Sequence, residues 1–230
     1  LLSAWMIKPV KMSFDKQKQF IADASHELKT SLAVIIASSE ALENEPEEKK
    51  WLLNIKNESE RMNNLISDLL NLAKSENEVK EQHINENLSK IVEKSILTFE
   101  SLIYEKNINL DYKIDDNIFF SCNENQIKEV IGILLDNAIK HSPLKGEIKI
   151  NLKKEKGNIV LTVTNKGDEI PKEEQEKIFE RFYRVDESRN RNENRYGLGL
   201  AIAKNIVTNH NGKISVNCEN GYTTFKIVFK

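Results

Sequence analysis

Cysteine is scarce in this chain. Only Cys122 and Cys218 occur, far apart and outside any Cys-x-x-Cys or Cys/His spacing. That excludes a disulfide scaffold and a zinc ribbon, and it fits a reducing compartment. Charge of one sign is also missing. Lys and Arg number 34 against 36 Asp and Glu, a formal net charge of −2, so no global positive field exists to drive nucleic-acid binding. No apolar run approaches the ~18 residues of a membrane span. Glycine and proline are absent between Ser13 and Asn44, which leaves no helix breaker there.

What is present is 230 residues, 39% hydrophobic and 30% charged. This is enough chain for a sizeable core, as one large domain or two small ones. The charged share predicts much solvated surface, as on long helices. The opening Leu1-Leu2-Ser3-Ala4-Trp5-Met6-Ile7 is apolar, and Lys8, Pro9 and Lys11 follow it. It reads as the cytoplasmic end of a membrane helix, with Trp5 at the interface and lysines inside, so residues 1–12 are expected to be juxtamembrane.

Two long helices are expected next. From Ser13 to Asn44, Ile21, Ala24, Leu28, Leu32, Ile35 and Leu42 recur on one helical face. Pro46 ends that pattern and suits the first turn of the following helix. In that helix, to about Asn77, Leu52, Ser59, Ile66 and Ala73 stand seven apart, with Ile55, Met62 and Leu69 between them. This is a heptad seam. Leu53, Leu65, Leu70 and Leu72 widen it beyond what one hairpin covers, so two chains are expected to pair into a four-helix bundle.

Beyond Val79 the pattern changes. Helices are expected over Leu88–Lys106, Asn123–Lys140 and Gly197–His210. Alternating segments predict strands over Asn107–Ile114, Asn117–Ser121, Glu147–Lys153, Asn158–Asn165, Lys213–Asn217 and Tyr222–Phe229. Lys156-Gly157-Asn158 and Asn220-Gly221 are turn signals. The expected fold is an α+β sandwich of one sheet and one helical layer. The tract Asp186–Arg195 is highly polar and reads as a loop.

His26 lies about 160° around the helix from the middle of the apolar stripe, so it faces solvent. Thr30 stands one turn on and Glu27 adjoins it. An exposed imidazole can be phosphorylated, and a neighbouring carboxylate can accept its proton. Four downstream segments add to this. Asn137 and Lys140, followed by His141, close an apolar helix; an amide oxygen suits Mg²⁺ and a lysine meets phosphate. Asn165 ends a strand before Gly167, with an acceptor and a donor that match adenine. Phe182 and Arg184 belong to an aromatic cluster with a fixed positive charge. Gly197 and Gly199 open a helix whose N–H groups can approach phosphate.

Taken in order, these five segments resemble the sensor histidine kinases of two-component signalling, over nearly the whole chain from Ser13 to Lys230. The resemblance implies a dimerisation and histidine-phosphotransfer hairpin over residues 13–80. It implies a catalytic ATP-binding domain of the Bergerat type over residues 81–230. Carried over, His26 is the phosphoacceptor, Glu27 its base, and Thr30 the residue that orients water for dephosphorylating a response regulator. Asn137 coordinates Mg²⁺. Lys140 and Arg184 contact the phosphates of ATP, His141 matches a usual tyrosine beside the nucleotide, and Asn165 takes the place of the adenine-binding Asp. Gly197 and Gly199 shape a lid hinge, with the lid itself at 186–196. The partners implied are a second copy of the chain, a response regulator and a membrane, with no nucleic acid. The chain departs from the family pattern at Ser31 (for proline), Ile133 (for a second Asn), and Glu169 and Arg195 (for glycines). These changes imply a straighter first helix and stiffer turns.

Overall fold

The computed structural model describes the backbone of residues 2–42, 48–76, 83–185 and 196–230, and the side chains of residues 17–42, 49–73, 83–185 and 196–230. The chain divides into two compact units. One comprises Leu1–Leu69 with Ser188–Tyr196, the other Leu70–Glu187 with Gly197–Lys230.

The first unit is built on α1 (Leu2–Leu42) and on most of α2 (Glu48–Glu76). Helix α1 starts earlier than the apolar pattern predicts and runs unbroken through Pro9 and Ser31. The expected helix start at Pro46 lies outside the described residues. The buried side chains of α1 are Ala24, Ser31 and Ser38, seven apart. Small residues at that spacing bring a partner helix close. On α2, Leu65 and Leu72 are fully buried, with Glu58 and Trp51 half-buried one and two heptads before Leu65. The line expected to form the seam, Leu52, Ser59, Ile66 and Ala73, is exposed instead. It is offset by one residue, about 100° around the helix. Within one chain the hairpin therefore closes on 51/58/65/72, and the neighbouring apolar line is left uncovered.

The second unit carries a five-stranded sheet in the order β2-β4-β5-β7-β6: β2 is Asn109–Ile114, β4 Glu147–Glu155, β5 Asn158–Lys166, β6 Lys213–Glu219 and β7 Tyr222–Phe229. Strand β2 runs parallel to β4, and the other neighbours are antiparallel. A second, two-stranded sheet pairs β1 (Ile84–Asn87) with β3 (Phe119–Cys122). The helices are α3 (Leu88–Leu97), α4 (Glu100–Glu105), α5 (Glu124–His141) and α6 (Gly199–Asn209). The helix expected over Leu88–Lys106 is thus two helices. The break falls at Thr98, whose hydroxyl donates to the Ser95 carbonyl at 2.7 Å. Both α3 and α5 start on an asparagine cap: Asn87 accepts from the Lys90 N–H, and Asn123 from the Gln126 N–H.

The core lies between the sheet and α3, α5 and α6. Leu134, Leu135 and Ile131 on α5 and Ile202 and Ile206 on α6 face Ile148, Ile150, Leu152, Leu161, Val163, Phe225 and Ile227, all buried. Alternate strand positions such as Lys149, Thr162, Thr164 and Lys226 point the other way. One covered face and one polar face make the expected one-sheet, one-helical-layer sandwich.

Candidate functional site

In the first unit, His26 is exposed on α1 and Glu27 is half-buried beside it. The Thr30 hydroxyl donates to the His26 carbonyl at 2.9 Å, which holds Thr30 on the same helical face with its lone pairs outward. Glu27 is 3.8 Å from the Arg61 guanidinium on α2, and Arg61 is 3.6 Å from Glu58 one turn away. Nothing in the sequence reading singled out Arg61. Its only signal is a cation flanking the apolar seam at Met62. Tyr196, the last residue of this unit, is buried, and burial pushes its phenol above the usual tyrosine range while the nearby Arg61 charge opposes that shift.

In the second unit, three glycines bring distant segments together. Gly167 follows β5 and lies against the end of α5: a Cβ there would sit 2.3 Å from the His141 carbonyl oxygen and 3.2 Å from Asn165 Nδ2. Only a glycine permits that approach. Gly197 has φ +69°, and a Cβ on it would meet the Tyr183 carbonyl at 2.7 Å and Phe182 at 3.0 Å. Because of that left-handed φ, Gly197 precedes α6, which starts at Gly199 rather than at Gly197 as expected. Phe182 itself holds φ 59°, a conformation a bulky residue adopts only under constraint. Gly199 packs on Ile133 of α5, at 3.4 Å from its Cγ2 to a built Cβ. The first turn of α6 has no side-chain cap, so its N–H groups suit an anion.

These contacts gather Asn165, Gly167 and His141 at one place, and Phe182, Gly197 and Gly199 at another, with α5 common to both. Asn137 is half-buried on α5, one turn before His141. Lys140 is exposed and pairs with Asp136 at 3.8 Å. Arg184 is half-buried beside Tyr183. Asn165 is 2% exposed, so its amide reads a shape from within the fold. The segment 186–195 lies outside the described residues.

Two departures from the family pattern, Glu169 and Ile133, find structural roles, and Arg195 lies outside the described residues. The carboxylate of Glu169 accepts the Gly221 N–H at 2.6 Å, and Gly167 donates to the Gly221 carbonyl at 3.0 Å. The turn after β5 is therefore clamped to the β6–β7 hairpin. Ile133 supplies the apolar surface on which α6 begins. Among the described residues no cluster of three or more His, Cys, Asp or Glu could hold a metal ion. A metal beside Asn137 would take most of its ligands from phosphate oxygens and water, as Mg²⁺ does.

A family model described as "His Kinase A (phospho-acceptor) domain" matches residues 16–78, and one described as "Histidine kinase-, DNA gyrase B-, and HSP90-like ATPase" matches residues 122–230. The chain belongs to the sensor histidine kinases. It is 39% identical over 214 residues to the sensor protein DltS of Streptococcus agalactiae, covering 93% of this chain and 54% of that protein. To the histidine-protein kinase ArlS of Staphylococcus haemolyticus it is 36% identical over 234 residues, covering 98% of this chain and 51% of that one. The chain thus spans about half the length of the curated relatives it matches. The crystal structure of the histidine kinase ThkA in complex with the response regulator protein TrrA matches the whole fold, with a TM-score of 0.79 and 21% identity, covering 100% of this chain and 66% of that one. No helix among the described residues is long and apolar enough to cross a membrane.

Proposed function

We propose that this sensor histidine kinase uses ATP to phosphorylate His26 and passes the phosphoryl group to an aspartate of a response regulator. The observation that carries the reading is the pairing of an exposed imidazole, flanked by Glu27 and Thr30, with a glycine-lined cradle in an ATPase-type fold. We place the phosphotransfer hairpin at residues 13–80 and the ATP-binding domain at 81–230, with residues 1–12 leading in from a membrane.

In this reading Asn165 takes the adenine amine and ring nitrogen, Gly167 leaves room for the base, and His141 and Phe182 flank the nucleotide. Lys140, Arg184 and the N–H groups at Gly197 and Gly199 neutralise phosphate charge. Asn137 would hold Mg²⁺, whose positive charge would offset that of the phosphates. Catalysis is then positioning plus charge neutralisation. An imidazole nitrogen of His26 forms a bond to the γ-phosphorus as the bond to the leaving oxygen of ADP breaks. The imidazole proton goes to Glu27. Thr30, with its proton committed to the His26 carbonyl, presents lone pairs that can orient a water for a separate reaction, hydrolysis of the regulator's aspartyl phosphate to aspartate and inorganic phosphate.

A homodimer follows from the uncovered hairpin line: Ile21, Leu32, Leu52, Leu53 and Ile66 are all exposed in the single chain. The relatives are sensors about twice as long, and we assign this chain to the cytoplasmic side of a cell-membrane protein.

Labelling with γ-labelled ATP tests the reading. Wild type should acquire acid-labile label, and His26→Ala should acquire none. Asn137→Ala should lose labelling while its dimeric mass is unchanged. Label retained by His26→Ala would overturn the assignment, and full activity in Asn137→Ala would remove its metal role.

A further inference from the structure

The phosphotransfer reading leaves one cluster in the first unit unexplained. Tyr196 is 4% exposed, and its phenolic oxygen is buried close to the Ser31 hydroxyl and the Arg61 guanidinium. The Arg61 guanidinium lies over its ring, 5.3 Å from the centroid, within cation–π range. Arg61 stands between two carboxylates, 3.6 Å from Glu58 and 3.8 Å from Glu27. Both distances exceed the ~2.7–2.9 Å of a charge-assisted hydrogen bond. Arg61 Nε and Glu58 Oε2 are also buried and lack partners among the described residues. Arg61 is therefore held mainly by the aromatic ring, with a loose carboxylate on either side. With the ring withdrawn, the guanidinium is free to close on either one.

Glu27 directly follows His26, so the place where Arg61 settles decides where the Glu27 carboxylate settles. Tyr196 falls in the same compact unit as these helices. It is one peptide bond from Gly197, which the proposed function assigns to the nucleotide.

We propose that Tyr196 is a positioning residue for the phosphoacceptor: its ring stacks on Arg61 and fixes the guanidinium that anchors Glu27 beside His26. The inference rests on the reading of His26 and Glu27 given above.

Initial rates of His26 labelling by the full chain, measured across ATP concentrations, test it. Tyr196→Ala should lower kcat about tenfold and leave KM for ATP within about twofold, the pattern of a lost transition-state interaction. Tyr196→Leu, which keeps apolar volume without a π-face, should show the same loss and serves if the alanine variant does not fold. Tyr196→Phe, which keeps the ring, should retain most of the rate that Tyr196→Ala loses. Arg61→Ala should be as slow as Tyr196→Ala, and the double variant no slower than either. Full kcat in both Tyr196→Ala and Tyr196→Leu overturns the proposal. So does a loss carried by KM, or a Tyr196→Phe variant as slow as Tyr196→Ala. Absence of label at His26 in the wild type would overturn the functional reading instead, so the two failures are distinguishable.

Discussion

The two units solve the burial problem in opposite ways. In the α/β unit the large apolar side chains of α5, α6 and the sheet close on one another, and Leu134, Leu135, Ile148 and Ile227 are all fully buried. Among the described residues of the two helices in the first unit, Ala24 and Leu65 are the buried apolar ones, while Leu52 and Leu53 are each 55% exposed. A layered sandwich has two surfaces that face each other within one chain. Two helices have one line of mutual contact, and any wider apolar stripe needs a second molecule. The glycine-lined cradle therefore sits on a fold closed within one chain, whereas His26 sits on a helix pair whose wider apolar stripe is left exposed.

The sharpest way to break this contrast is to charge the uncovered line. Leu52→Glu combined with Ile66→Glu should convert a dimer to a monomer in light scattering, while ATP affinity stays within about twofold, since neither side chain belongs to the second unit's core. A persistent dimer would show that the hairpin does not depend on these faces. Next in size, Leu134→Ala should destabilise the α/β unit by about 2–5 kcal/mol through the cavity it leaves. Denaturant melts should then show that unit unfolding first, with the helical signal of the hairpin retained.

A smaller effect concerns Cys122. Burial, with the nearby Glu86 and Glu124 charges adding, raises its thiol from an ordinary 9.0 to about 11. Between those values the folded chain keeps a proton that the unfolded chain has lost, so stability falls as pH rises through that window. The loss from this group reaches about 2–3 kcal/mol near pH 11. Urea melts near pH 8 and near pH 10.5 should show a drop in wild type that Cys122→Ala lacks; equal slopes would refute the assignment. Smallest of all, Glu169→Ala removes the acceptor for the Gly221 N–H and should cost about 0.5–1.5 kcal/mol, with weaker ATP binding as the turn after β5 loosens.

Much of the fold was legible before any coordinates. Periods of 3.6 and 2 placed the long helices and six of the seven strands, because those patterns are the burial patterns themselves. Of the expected seam, Ile55, Met62 and Leu69 are half-buried within the chain and Leu52, Ser59, Ile66 and Ala73 are exposed, because heptad spacing does not say which apolar line meets which helix. The strand Ile84–Asn87 was missed because two of its four positions are exposed and the other two half-buried, leaving no alternation to read. The site was legible as residue types in order. Arg61 and Tyr196 were not, because a cation–π contact between residues 135 positions apart leaves no mark on local sequence.

Residue types and their spacing alone determined that this is a two-part chain with an exposed histidine on a helix and a glycine-rich start to its last helix. Side-chain periodicity and glycine's missing Cβ are local properties, and the sequence carries them directly. Tertiary structure alone decided which apolar line the hairpin spends on itself and that Gly167 must clear the His141 carbonyl. It also decided that Glu169 clamps a turn where a glycine was expected, and that Arg61 rests between Glu27 and Glu58 under Tyr196. Each of these is a through-space distance between remote residues, and such distances exist only once the chain has packed.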